Sequence, residues 1–168
     1  MTFYAPMICV AAAAAAIVVA VAARARARAR LESLSVLLAL AATVAATLLL
    51  TLAPMDASEH HVRLVPLSDL VEALTPPDRT RLLEKAFNVV LFLPLGAALA
   101  LRGLSLGRTV LVATAFSAAV ELTQAVFVTG RTTSFDDVLF NTLGAAVGHA
   151  LLQFLVPKRE LRGISQVR

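Results

Sequence analysis

Apolar residues run along this chain in five long blocks separated by short polar or charged segments. The first covers about Ala5–Ala23 and is nearly pure Ala, Val and Ile; the second covers about Leu34–Ala53. A third runs from about Ala86 to Leu101, with Leu82 and Leu83 allowing a helix to extend back. The fourth covers about Thr109–Val128 and the fifth about Phe135–Val156. A helix needs about 20 mostly apolar residues to cross a hydrocarbon core about 30 Å thick. The pattern therefore predicts an all-α fold, a polytopic membrane bundle of five transmembrane helices. Composition strengthens this reading: the 168 residues are 59% hydrophobic and 15% charged. A soluble domain is about half apolar and about a quarter charged, and a mean hydropathy of +0.83 leaves too much apolar surface to hide from water.

Charge adds an orientation. Short cytoplasmic loops collect Lys and Arg, whereas carboxylates carry little topological weight. Arg24, Arg26, Arg28 and Arg30 follow the first block, Arg102 and Arg108 follow the third, and Lys158, Arg159, Arg162 and Arg168 follow the fifth. These alternating segments hold ten of the fifteen basic residues, which predicts an N-terminus outside and a C-terminus in the cytoplasm. Residues 1–53 then form two N-terminal spans, 54–156 an outer loop with three further spans, and 157–168 a basic cytoplasmic tail. Met1–Met7 carries no charged side chain and the arginines come after the apolar core, the reverse of a cleavable signal. The first block is expected to be a retained anchor. Its RARARAR tail, squeezed between two spans, reads as a topology determinant that meets anionic lipid rather than nucleic acid.

The 54–85 segment has its own pattern. Leu67, Leu70, Val71 and Leu74 fall at helical spacing, and Asp69 followed by Glu72 resembles a capping box. A short amphipathic helix on the outer membrane surface is expected here. Thr75-Pro76-Pro77-Asp78 reads as a stop followed by a new helix start. The single Cys9 excludes an intrachain disulfide, and the adjacent His60 and His61 lack a third ligand at fixed spacing, so no metal site and no cofactor are expected.

Within the spans, certain residues stand out because a charge near the bilayer centre is costly. The fourth span carries Glu121, with Gln124 and Ser117 about one turn away on the same face. The fifth opens with Asp136 and Asp137 and carries Asn141; the third carries Asn88, and Arg131 lies in the outer Thr129–Ser134 turn. Helix rise puts Glu121 and Asn141 about 10 Å and 9 Å below the outer boundary, and Asn88 and Asp137 about 3 Å below it. The seven residues Asn88, Glu121, Gln124, Arg131, Asp136, Asp137 and Asn141 are expected to converge in one polar cluster in the outer half. No comparable cluster is expected in the inner half, where His149 reads as a packing or interfacial residue. Gly144 and Gly148 form a GxxxG pair suited to close helix approach, and Pro94 with Gly96 suggests a bend.

Three ordered segments also carry a resemblance: FNVVLFLPLG (Phe87–Gly96), SAAVELTQ (Ser117–Gln124) and GRTTSFDDVLFNTLGAAVG (Gly130–Gly148). Together they resemble the VanZ-like family of bacterial membrane proteins, whose pattern is N-x-x-x-F-x-P-x-G, E-x-x-Q, an Arg turn and D-D-x-x-x-N-x-x-G. VRLVPL (Val62–Leu67) is similar to a further family stretch, with Arg63 where Asn is typical. The resemblance spans about Val62–Leu152. It implies a multi-pass protein of the bacterial cytoplasmic membrane, and its namesake is associated with resistance to the lipoglycopeptide teicoplanin. It carries over Asn88, Pro94, Gly96, Glu121, Gln124, Arg131, Asp136, Asp137, Asn141 and Gly144 as motif positions.

Three functions remain open on the sequence alone. The cluster can bind membrane lipid, a lipid-linked cell-wall precursor or a lipoglycopeptide, with Arg131 meeting an anion and the amides hydrogen-bonding polar groups. It can be an enzyme's site, with Glu121 and Asp136 or Asp137 as acid and base or as ligands for Mg²⁺, although no nucleophile or zinc motif is present. Or the polar residues only fix helix register. A closed cluster that satisfies itself favours the last; one that leaves a cleft facing lipid favours the first.

Overall fold

A computed structural model of the chain describes residues 62–127 and 133–156, with three helical positions, Ala41, Val44 and Ala45, inside the second apolar block. The first block, most of the second, Cys9, the arginine run, His60, His61, Arg131 and the basic tail lie outside the described residues. In chain order the elements are β1 (Val62–Arg63), α1 (Ser68–Leu74), α2 (Arg79–Leu101), α3 (Leu106–Phe127), β2 (Thr133–Ser134) and α4 (Phe135–Leu155). The fold is all-helical apart from the short parallel pairing of β1 with β2, which sets Val62 beside Thr133 and Arg63 beside Ser134. Helices α2, α3 and α4 are each long and apolar enough to cross a membrane, and they correspond to the third, fourth and fifth apolar blocks.

Local chemistry explains the boundaries. Helix α2 starts two turns before the apolar block because Asp78 caps it, accepting from the Thr80 amide at 2.9 Å and the Arg81 amide at 3.4 Å. It continues unbroken through Pro94, whose missing N–H leaves the Val90 carbonyl without its usual intrahelical donor. It ends in a Schellman turn: Gly103, at φ 77, donates to Ala100 O at 2.9 Å, and Leu104 donates to Leu99 O at 3.1 Å. Ser134 caps α4, its hydroxyl accepting from the Asp136 amide at 3.1 Å.

Helix α4 packs most extensively on α2 and next on α3. Against α2 the approach is backbone to backbone. A methyl group added at Gly144 would overlap the Val89 carbonyl, one at Gly148 the Leu93 carbonyl, and one at Gly96 the Ala145 carbonyl. Such proximity allows Cα–H···O contacts and maximises dispersion where no hydrophobic force drives helices together. Around this contact Leu91, Phe92, Leu95, Leu99, Ala113 and Ala145 form the buried core, with the Phe92 and Phe116 rings 5.9 Å apart.

The outward surface has the opposite polarity to a soluble protein's. Leu139, Leu143, Val147, Leu151 and Phe154 form an exposed stripe on α4, and Leu111, Leu122, Val126 and Phe127 are exposed on α3. The buried side of the same helices holds Glu121, Gln124, Asp136, Asn141 and His149. Polar inside and apolar outside is the arrangement lipid favours, because hydrocarbon solvates the stripe and cannot solvate the polar groups.

The glycine contacts make a direct prediction. Gly148→Val should part α2 from α4 and lower the thermal midpoint in detergent, read by circular dichroism at 222 nm, by several degrees. Gly107→Ala is the control: a Cβ there meets nothing within 4 Å, so it should be neutral or stabilise by up to about 1 kcal/mol.

Candidate functional site

The site is organised around Ser134, where β2 turns into α4. Its backbone N–H donates to Glu121 Oε2 at 3.3 Å, and its hydroxyl caps the first turn of α4. The β1–β2 pairing places the α1 segment beside that first turn. There Asp136, fully buried, accepts from the backbone N–H of Leu67 and from that of Leu70 at 3.1 Å. A carboxylate on α4 thus caps α1 from across the fold. The expected capping box at Asp69 and Glu72 does not form. The N-cap position is Leu67, in the left-handed region at φ 62 with no side-chain cap, a conformation that costs a non-glycine residue free energy. The two bonds to Asp136 offset that cost.

Released from capping, Asp69 and Glu72 join a chain of ion pairs. Lys85 Nζ bridges Asp137 at 2.8 Å and Asp69 at 3.2 Å. Arg63 pairs with Asp69 at 3.2 Å and with Glu72, and Arg81 reaches Glu72 at 2.8 Å. Asn88 Nδ2 donates to Asp137 at 2.6 Å. Burial alone would raise the Asp69 pKa, but the Ser134 hydrogen bond together with Lys85 and Arg63 outweighs it and holds the carboxyl below its ordinary value. Hydrogen bonds from Arg63 and then Arg81 hold Glu72 below its ordinary value as well.

A second group lies along the α3–α4 contact. Ser117, Glu121 and Gln124 are buried on one face of α3. Asn141 Nδ2 donates to Ser117 Oγ at 2.8 Å, and further along Thr114 and Thr142 hydroxyls meet at 3.0 Å. At the far end of this seam His149 is buried between Thr109 Oγ1, 2.9 Å from Nδ1, and Gln153 Nε2, 2.8 Å from Nε2. His149 is hydrogen-bonded at both ring nitrogens as well as buried. One atom in the seam is left over. Asn141 is 3% exposed, and its Oδ1 is the one buried side-chain nitrogen or oxygen among the described residues with no hydrogen-bond partner.

Of the seven residues singled out from the sequence, Asn88 and Asp137 meet directly, Asp136 binds α1, and Glu121, Gln124 and Asn141 belong to the α3–α4 seam. Arg131 lies outside the described residues. Ser134 joins the two groups. Sequence reasoning missed Lys85, Asp69 and Arg63 as partners of this site and gave Ser134 no role. The available signal was a basic residue, Lys85, one turn before Asn88 on the same helical face. Among the described residues no group of three or more His, Cys, Asp or Glu side chains is arranged to hold a metal ion.

The VanZ/LLP1 family model matches residues 35–156, most of the chain. The chain belongs to the VanZ/LLP1 family. The match reaches back into the second apolar block, beyond the Val62–Leu152 stretch that the motifs cover. No curated protein and no solved structure matches the chain. In this VanZ/LLP1 membrane protein the three motif segments are also the three walls of the site: Asn88 on α2, Glu121 and Gln124 on α3, and Asp136, Asp137 and Asn141 on α4.

Two outcomes follow. Lys85→Met strands the Asp137 and Asp69 charges and should cost about 3 kcal/mol or more of stability, while adding Asp137→Leu should recover part of that loss; a double-mutant cycle of thermal midpoints reads the coupling. Because Asp69 and Glu72 titrate below their ordinary values when folded, their contribution is complete above the unfolded values of about 4 and is lost as pH falls through the folded ones. The thermal midpoint should therefore drop below about pH 4, and less so in an Asp69→Asn/Glu72→Gln variant.

Proposed function

We propose that this VanZ-family protein sits in the bacterial cytoplasmic membrane as five spans, N-terminus outside, and recognises a polar headgroup at the outer leaflet. The headgroup belongs to a membrane lipid or to a lipid-linked cell-wall intermediate. Orientation rests on the alternation of Lys and Arg between the apolar blocks. Recognition rests on one observation, the unmet Asn141 Oδ1 inside an otherwise hydrogen-bonded seam. A buried acceptor left without a donor costs about 1–3 kcal/mol, and residues serving only as glue between helices gain nothing by leaving it so.

The charged half of the cluster argues against acid–base chemistry at the two aspartates. Asp136 gives both oxygens to backbone N–H groups, and Asp137 is held by Lys85 and Asn88. That half supports the seam by fixing α1 and the start of α4. The resemblance to the teicoplanin-resistance namesake gives the reading a phenotype: a protein holding lipid-linked wall precursors at the outer leaflet competes with a lipoglycopeptide for the same surface.

Native mass spectrometry of the gently extracted full chain tests this by comparing wild type with Glu121→Gln and Asn141→Ala. The expected result is a lipid-linked species retained by wild type and lost from both variants at unchanged thermal midpoint. No species on wild type, with variants that unfold or extract poorly, would mean that the cluster is structural.

A further inference from the structure

Helix α1 has three distinct sides. With successive side chains about 100° apart, Asp69 and Ala73 lie within about 40° of each other, and these two are buried against the bundle. Leu70, Leu74 and Val71 follow over an arc of about 100°, with Leu67 beside them just before the helix starts. Ser68 and Glu72 close the circle as a polar edge, where Glu72 meets Arg63 and Arg81. Leu67, Val71 and Leu74, together with the adjoining Leu64 and Val65, are between 47% and 72% exposed. A helix on the surface of a soluble protein needs two sides, one apolar toward the core and one polar toward water. An outward side without charge calls for a third medium.

Hydrogen bonds fix the level of α1 along the bundle. The N–H groups of Leu67 and Leu70 reach Asp136, in the first turn of α4, and Asp69 reaches Lys85, directly before the apolar block of α2. Both helices are long and apolar enough to cross a bilayer, so α1 lies where they enter it. At the same height Phe135, 40% exposed, begins the outward apolar ridge of α4.

The apolar loop before α1 also meets its backbone needs from within the protein. Val65 O accepts from the Ser68 N–H at 3.3 Å and from the Ser68 hydroxyl at 2.8 Å. Leu67 O accepts from the Val71 N–H at 2.9 Å, Asp136 holds the Leu67 N–H, and Pro66 has no N–H to satisfy. Water would make such bonds dispensable, whereas hydrocarbon requires them. The charges of the segment are paired as well: Arg63 with Asp69 and Glu72, Asp69 with Lys85, and Glu72 with Arg81.

We propose that α1 is an interfacial helix whose apolar side, with Leu64 and Val65, contacts the acyl chains of one leaflet near their glycerol ends. Ser68 and Glu72 then lie in the headgroup layer, and the segment sets how deep this end of the bundle sits. The orientation proposed above makes that the outer leaflet. The inference stands apart from headgroup recognition, since it uses neither Asn141 nor any choice among headgroups.

The chain contains no tryptophan, so a single introduced indole reports its own surroundings. Val71→Trp and Leu74→Trp each replace an exposed side chain on the apolar side. Leu143→Trp is the deep reference, eight residues and about 12 Å of helix rise beyond Phe135. Each full-length variant is reconstituted in phosphatidylcholine vesicles brominated either near the glycerol or near the methyl end of the acyl chain. Val71→Trp and Leu74→Trp should lose most of their emission to bromine near the glycerol and little to bromine near the methyl end or to soluble iodide. Leu143→Trp should show the reverse preference between the two lipids. Quenching of the α1 variants by iodide but by neither lipid would overturn the proposal, because the apolar side would face water. Quenching by neither iodide nor lipid would overturn it too, since protein, from this chain or a second copy, would cover the patch. Strongest quenching by bromine near the methyl end would overturn the interfacial depth. The two α1 variants report independently, so one that fails to fold leaves the other to decide.

Discussion

Two helix backbones in direct contact set the frame of this bundle. Gly144 and Gly148 lie on the Val89 and Leu93 carbonyls, and Gly96 lies on the Ala145 carbonyl, so α2 and α4 hold each other's register from both sides. A slip of α4 by one residue would bring Ala145 or His149 where only hydrogen fits. With the register fixed, each remaining position on α4 has a definite neighbour. Asp137 comes opposite Lys85 and Asn88 on α2. The face turned toward α3 carries Ser134, Asn141, Thr142 and His149, which meet Glu121, Ser117, Thr114 and Thr109 in antiparallel order. One helix thus packs by shape on one side and by hydrogen bonds on the other. In lipid each mode is weak, and their combination is what makes a single arrangement preferred.

The ion pairs at the end of the bundle have a different task. Exposed pairs such as Arg81–Glu72 add little, because water and salt screen them. Lys85 is another matter: with its side chain 8% exposed, it depends on Asp137 and Asp69 to remain charged at that depth. Those bonds run between α2, α1 and α4, so the charge that Lys85 cannot leave unpaired holds three elements together. The same requirement turns the polar side of α1 inward and leaves its leucines and valines outside. The short helix is tied to the bundle through Asp69, with Val71 and Leu74 turned outward.

The three spans among the described residues were legible because an apolar run of bilayer length is too long and too uniform to suit much besides crossing a bilayer. The start at Phe135 follows from Ser134 and the two acids behind it, and the restart at Asp78 from the prolines before it. The start of α2 was less legible. Arg79 to Lys85 reads as loop by hydropathy, and it is helix because Asp78 caps it and Lys85 finds its counter-charges on residues 16 and 52 positions away. The apparent capping box failed for a related reason. A local motif proposes the nearest acceptor, but Asp136, 66 residues beyond Leu70, reaches the α1 amides first and leaves Asp69 and Glu72 for the cations. Asn88, Glu121, Gln124, Asp136, Asp137 and Asn141 could be picked out because each is costly in a span. Lys85 and Ser134 could not, since a lysine at a span's edge and a serine in a turn violate nothing.

Adjacent aspartates at a helix start invite reading as a catalytic or metal-binding pair, but helix geometry sends these two to different partners. Successive side chains on an α-helix diverge by about 100°. Asp136 accordingly points to the backbone of α1 and Asp137 to Lys85 and Asn88 on α2. One is bound by neutral amides and the other by an ammonium and a side-chain amide. Their roles cannot be exchanged: an amide at position 136 would present its own donors to the N–H groups of Leu67 and Leu70, whereas an amide at 137 would leave Lys85 with Asp69 as its one counter-charge. The pair is two separate fastenings that share a turn. What they fasten is the end of the α3–α4 seam, so the part of the cluster richest in charge holds the structure.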